Sequence, residues 1–139
     1  MIRSGQCNCG AVRARIAGEA VAVRQCWCRQ CQKLAGGGAS NNAMFNTADV
    51  ELTGPLASWS YVADSGNTLT MHSCAECGTP VYAQSSARPQ YRTIRIGFLE
   101  EPHELAPTTA IWTEEKPAWA VLDPKLEALS RQAPAPKPT

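Results

Sequence analysis

Long runs of any one character are missing from this sequence. Across 139 residues, Lys+Arg total 13 and Asp+Glu 12, for a net charge of +1 with no long block of either sign. That removes the electrostatic case for nucleic acid or an anionic membrane as partner. No apolar stretch approaches the roughly 20 residues needed to cross a bilayer. No apolar run precedes Cys7, as a secretory signal would require, so a cytoplasmic protein is the expectation. Internal repeats are also lacking, and after Gly38 a helical period returns only over 124–130. Length and pattern together predict a single domain over 1–132. The Pro-rich residues 133–139 read as an extended or disordered end.

What the chain does have is cysteine. Seven cysteines, an odd number, fit poorly with a closed disulfide framework. Their spacing is ordered: Cys7-Asn8-Cys9, Cys26-Trp27-Cys28-Arg29-Gln30-Cys31 and Cys74-Ala75-Glu76-Cys77. The simplest division is four plus three. Cys7, Cys9, Cys74 and Cys77 would close one tetrahedral structural zinc site, with Gly10 and Gly78 following each pair as tight turns around a metal require. Joining such distant pairs would fix a long loop and contribute folding free energy directly. Cys26, Cys28 and Cys31 would reach a second ion and leave its fourth position open, the pattern of a catalytic zinc. His72 and His103 are the candidates to fill that position instead; His103 reads as a solvated loop residue, and His72 shares a strand face with Cys74. Redox-active dithiols or a metal-free thiol cluster remain open alternatives.

Between the cysteines the signals are mainly β. Alternation over 11–16 puts Val12, Ala14 and Ile16 on one face, and 20–25 leads a second strand into Cys26. Residues 30–35 predict a short helical turn stopped by Gly36-Gly37-Gly38. Further strands are expected at 43–46, 49–53, 57–62, 68–73, 80–83 and 93–99, with turns at Gly54-Pro55 and Asp64-Ser65-Gly66-Asn67. Residues 36–38 and 64–67 are candidate pocket loops.

With these residues in view the chain resembles the glutathione-dependent formaldehyde-activating enzyme family. The resemblance rests on Gly5-Gln6-Cys7-Asn8-Cys9-Gly10-Ala11-Val12, the three-cysteine motif, Cys74-Ala75-Glu76-Cys77-Gly78-Thr79-Pro80-Val81, Ile96-Gly97-Phe98-Leu99-Glu100-Glu101-Pro102, and Ile111-Trp112-Thr113 with Pro117-Ala118-Trp119. It implies a β-tent of twisted antiparallel sheets around a structural zinc held by Cys7, Cys9, Cys74 and Cys77. It also implies a catalytic zinc on Cys26, Cys28 and Cys31, so two ions per chain. The implied activity is that of a carbon–sulfur lyase, S-(hydroxymethyl)glutathione synthase-like, whose partners are a small thiol such as glutathione and an aldehyde; a homodimer stays open. The family commonly has His where this chain has Trp27, and often has His before Ile-Trp, where it has Ala110. Trp27 and Trp112 would then line a drier pocket, although the structural core is the more usual place for a tryptophan. Two other classes compete: a non-catalytic zinc-stabilised binding module, and a thiol redox protein on a similar scaffold, such as a methionine sulfoxide reductase relative.

Overall fold

The structure, a computed structural model, describes residues 1–136. In chain order the elements are β1 (Arg3–Gln6), β2 (Arg13–Ile16), β3 (Ala22–Cys26), α1 (Arg29–Leu34), β4 (Ser40–Asn46), β5 (Val50–Thr53), β6 (Leu56–Val62), β7 (Thr68–Cys74), β8 (Pro80–Ser85), β9 (Tyr91–Arg95), β10 (Thr109–Ile111) and β11 (Glu127–Ala128). A small sheet has the order β1-β2-β5, and a large one the order β11-β10-β3-β4-β9-β8-β7-β6. The protein is therefore mainly β, as its alternating segments and frequent turns predict. The pairings are antiparallel except at one edge, where β10 runs parallel to both β3 and β11. No described helix is long and apolar enough to cross a membrane.

Three expectations change. The strand expected over 93–99 ends at Arg95, and Ile96–Phe98 makes a tight helical turn that buries Phe98. The helical pattern at 124–130 gives no helix; a turn leads into β11, whose strand hydrogen bonds the edge of the large sheet can satisfy. Of the Pro-rich end, Ala133 is buried and the Pro134 carbonyl accepts a 2.9 Å hydrogen bond from Arg24 Nη2, while residues 137–139 lie outside the described residues. β1 and β10 went unread because each is short, with too few residues to show a period.

Strand alternation decides what each face does. In β2, Ala14 and Ile16 are buried while Arg13 and Arg15 are exposed. They pack with Val12 and Val50 against Ala43, Phe45, Val81, Tyr82 and Ile94 of the large sheet, and this is the main core. Cys7 and Cys74 sit at its margin, 3% and 2% exposed. The opposite face of the large sheet carries Arg24, Asn42, Met44, Thr93, Ala83, Met71 and Tyr61, which instead floor a cleft. The register explains the division: Arg24 pairs with Asn42 and Asn42 with Arg95, whereas the adjacent Ala43 pairs with Val23 and Ile94. A slip of one residue would exchange the two faces.

Within the small sheet, the chain beyond β5 comes very close to the chain before β2, one step past the Arg13–Thr53 pair. At Gly54 the backbone has φ +109°, and an added Cβ would lie 2.1 Å from the Ala11 carbonyl oxygen. At Gly66, φ is +85° but nothing lies within 4 Å. We therefore expect Gly54→Ala to lose about 3 kcal/mol or more in chemical unfolding, the sum of overpacking and left-handed strain. Gly66→Ala should lose only about 1 kcal/mol, from the left-handed strain alone. Equal losses would contradict the close approach of Gly54 to the Ala11–Val12 backbone.

Candidate metal centres and their cleft

Two groups of cysteine sulfurs converge, Cys7/Cys9/Cys74/Cys77 and Cys26/Cys28/Cys31, each with all sulfurs within 4.8 Å of one another. The first joins the loop after β1 to the end of β7 and the turn that follows it. The Cys7 and Cys9 sulfurs are 3.6 Å apart, and those of Cys9 and Cys74 are 3.7 Å apart. A tetrahedral zinc with bonds of about 2.3 Å has sulfur–sulfur edges of about 3.8 Å, so this donor set fits that ion. The two turns also repeat one geometry. The Gly10 amide donates to the Cys7 carbonyl at 3.1 Å and the Gly78 amide to the Cys74 carbonyl at 3.0 Å, with φ +80° and +79°. Backbone amides of Val12, Glu76 and Cys77 point at the Cys7 and Cys74 sulfurs at 3.2–3.4 Å. Such donors favour thiolate over thiol. Hydrogen bonds from the Thr79 side chain and backbone bring Cys77 down to about 5, whereas Cys9 is pushed up to about 12 despite the Ala11 amide, by burial and the neighbouring sulfurs.

The second group is carried by the end of β3 and the start of α1. Cys26 is the last residue of β3, Cys28 caps α1, and Cys31 lies one turn in, where its amide donates to the Cys28 sulfur at 3.3 Å. The helix start is clamped by Gln32, 2% exposed, whose Nε2 donates to the Trp27 carbonyl at 2.7 Å and the Glu115 carbonyl at 2.8 Å. Glu115 in turn accepts the Arg29 amide at 2.8 Å. Hydrogen bonds from Cys26 and then Cys28 bring Cys31 down to about 3. Although the Cys26 thiol also donates to it, Cys28 is pushed up to about 11, because Cys31 and burial hold its own proton. Hydrogen bonding to Cys28 and then Cys31, with burial, raises Cys26 far above the thiol range. Three clustered thiols thus give up one proton easily and the rest only against a cation, which fits a soft divalent ion.

Neither histidine belongs to these groups. His72 stacks on Tyr82 with ring centres 4.1 Å apart, and burial together with Arg92 holds its imidazole below the ordinary value. It shares the β7 face of Cys74, as alternation predicts, since the bulge opposite His72 and Ser73 lies in β8, yet its ring packs on Tyr82 and not with the sulfurs. His103 is buried, not solvated: its Nδ1 accepts the Leu105 amide at 3.0 Å, so Nε2 carries the proton toward Glu101 Oε1, also at 3.0 Å. Its carbonyl accepts from Arg3 Nε, which makes it part of the β1 anchorage.

The cysteines of the second group open into a cleft of about 380 Å³. Trp112 lines it, held at φ +56° by a 3.0 Å bond from its amide to the Arg131 carbonyl. Trp27 does not; it is 5% exposed and packs on Ala110 and Ala120, with its Nε1 donating to Gln25 at 3.0 Å. The loop at 64–67 borders the cleft, but the glycines at 36–38 do not. Several residues of this site escaped sequence reading. Arg24 and Tyr61 face the cleft, as do Asn42 and Arg95. The available signal was period two: Arg24 lies two residues before Cys26 on one strand face.

A directed chain of hydrogen bonds runs from the sheet toward Cys31. Buried Arg95 can only donate, and its Nη1 gives to Asn42 Oδ1 at 2.7 Å. That leaves the Asn42 amide nitrogen to donate to Ser40 Oγ at 2.9 Å, and so frees the Ser40 hydroxyl proton for the Cys31 sulfur, which it helps keep ionised. We expect Asn42→Leu to cost about 2–3 kcal/mol in urea unfolding, because it strands a buried guanidinium. Asn42→Asp, which keeps the acceptor for Arg95, should recover most of that loss; equal losses would mean the guanidinium does not depend on this partner.

Comparison with known proteins agrees with this architecture. No curated protein matches the sequence significantly. The crystal structure of a Rhodobacter sphaeroides protein superposes with a TM-score of 0.59 at 20% identity, covering 77% of this chain and 98% of that one. Its likeness supports the fold. The model of the family described as glutathione-dependent formaldehyde-activating enzyme matches residues 2–115, which include both cysteine groups, β3, α1 and the whole floor of the cleft. On that match, the chain belongs to the glutathione-dependent formaldehyde-activating enzyme family.

Proposed function

We propose that the protein is a zinc-dependent carbon–sulfur lyase or synthase that makes or breaks a thiol–aldehyde adduct such as S-hydroxymethylglutathione. The observation that carries this reading is the contrast between the two cysteine groups. One offers four sulfurs, enough to complete a tetrahedron; the other offers three at the wall of a cleft, with no histidine or carboxylate in the group to make a fourth. In this reading Cys7, Cys9, Cys74 and Cys77 hold a structural zinc, and Cys26, Cys28 and Cys31 a catalytic one. Zinc at the second site would supply Lewis acidity, keeping a substrate thiol ionised at neutral pH.

The chain's own residues do the rest. Cys26, Cys28 and Cys31 would serve as ligands and not as nucleophiles, so the nucleophile is the substrate sulfur. Its attack on the aldehyde carbon forms the carbon–sulfur bond, and the carbonyl π electrons move to oxygen, which takes up from solvent the proton that the thiol gave up. Tyr61, on the floor of the cleft, keeps its own proton because burial and then the Cys28, Cys31 and Cys26 charges raise its pKa. It is therefore a neutral hydrogen-bond donor for that oxygen. Ile111 and Trp112 cover the cysteine side and limit the access of water.

Three measurements test this. Purified protein should hold two zinc ions, and Cys28→Ser should hold close to one; unchanged content would break the two-site division. In cobalt-substituted protein, glutathione should alter the visible bands of the second site, and formaldehyde consumption should fall at least a hundredfold in Cys31→Ser. Activity that survives loss of that ligand would remove the catalytic role of the trio.

A further inference from the structure

The cleft carries more positive charge than the cysteines explain. Three guanidiniums line it, those of Arg24, Arg88 and Arg95. The ion pairs among the described residues use Met1, Arg3, His103 and Arg131, so none of the three is matched by a carboxylate. Arg95 has a local role: it is buried, bonded to Asn42, and close enough to Cys31 to favour the thiolate. Three thiolates on a divalent cation leave one net negative charge, which Arg95 offsets. Arg24 and Arg88 are left without such a task.

Their placement suits a ligand. Arg24 stands two residues before Cys26 on the same face of β3, about 7 Å along the strand. One arm of its guanidinium is spent on the Pro134 carbonyl at 2.9 Å, which leaves the other toward the cleft. Arg88 comes from the turn between β8 and β9, whose backbone is fixed by bonds from the Arg88 amide to Ser85 and from the Tyr91 amide to the Arg88 carbonyl, at 3.0 and 3.1 Å. Burial, and then repulsion from Arg88, hold the Arg24 guanidinium below its ordinary value. Two like charges brought together in a half-buried wall cost free energy unless an anion joins them. The acidic groups on the same lining are Asp64, exposed on its loop, and Glu115, whose Oε2 accepts the Arg29 amide.

We propose that Arg24 and Arg88 form a carboxylate subsite of the cleft, so that the thiol it takes is an acidic one, held by a carboxylate at one end while its sulfur reaches Cys26, Cys28 and Cys31. This rests on the reading of the cleft as a thiol site and adds which thiols it selects. Planar guanidiniums match carboxylate in two-point contacts, which favours Arg over Lys for this task. A neutral or cationic thiol would gain nothing here and would leave the two charges unrelieved.

The test uses ligands whose sulfur is methylated, so that it reads the arginines and not the metal. Calorimetric titration of zinc-loaded protein should show S-methylglutathione binding at least tenfold more tightly than its diethyl ester. In Arg24→Gln/Arg88→Gln that preference should fall below threefold, while Arg24→Lys/Arg88→Lys should restore part of it. Arg88→Gln alone, on a surface turn, should lose at least threefold and serves if the double variant fails to fold. The proposal is overturned if acid and ester bind alike, if the preference outlives both arginines, or if neither ligand binds folded wild-type protein. Tighter binding of S-methyl-4′-phosphopantetheine would also overturn it, in favour of phosphate. Failure of the thiol chemistry would show separately, as a cobalt spectrum that glutathione leaves unchanged.

Discussion

The register of β4 between β3 and β9 is the constraint on which the rest of the molecule depends. Arg24, Asn42 and Arg95 are consecutive partners across three strands, as are Val23, Ala43 and Ile94 one step along. The first row faces the cleft and the second faces the core. Because side chains alternate with period two, a single choice of register sets both what is buried and what chemistry is presented. Burying Phe45, Ile94 and Val81 is worth about 2 kcal/mol each in transfer free energy. That apolar burial holds the polar row in place. The charged face is positioned by the hydrophobic one behind it.

A second dependence lies at the C-terminal segment. Ile111 is the partner of Cys26 in the parallel pairing of β10 with β3, and Ile111, Trp112, Leu129 and Ala133 pack around the three cysteines. Most of that wall past Trp112 lies beyond the residues the family model matches, which end at 115. The two positions where this chain departs from the family's common histidines are in contact with each other: Trp27 packs against fully buried Ala110. A large ring at one position fits a small side chain at the other, so the two changes act as one exchange of volume behind the cysteines. They do not dry the cleft, since Trp27 faces away from it. They remove two protonatable groups, and Tyr61 is the phenol left on the opposite side.

How much of this was legible in the sequence follows from what each signal encodes. Cysteine spacing with matched glycines encodes local turn geometry, and both sulfur groups assemble as that spacing requires. Alternation in 11–16 encodes a face, and Val12, Ala14 and Ile16 lie where it put them. The failures share a cause. His103 has the setting of a solvated loop and 124–130 the period of a helix, yet in each case a partner remote in sequence decides: Arg3 and β10. The arginines of the cleft were hidden for the same reason. Arg24, Arg88 and Arg95 are unremarkable in a chain of near-zero net charge until three separate elements bring them to one face.

The two cysteine groups also differ in how their charge is managed, and this separates their roles. Four thiolates on a divalent cation would leave a charge of −2, at a site where Cys9 and Cys77 are exposed and water can share the load. Backbone amides of Val12, Glu76 and Cys77 add to the compensation there. Three thiolates would leave −1, but Cys26 and Cys31 are buried, so the compensation has to come from the protein. Arg95, relayed through Asn42 and Ser40, is that compensation. Adding a substrate thiolate would bring the second site to −2 as well, in a setting far less able to bear it than the surface site. A thiolate in the fourth position would therefore be favoured by further positive charge beside it. The unpaired arginines of the same cleft provide it, which ties the reactivity of the cysteine trio to the electrostatics of the wall facing it.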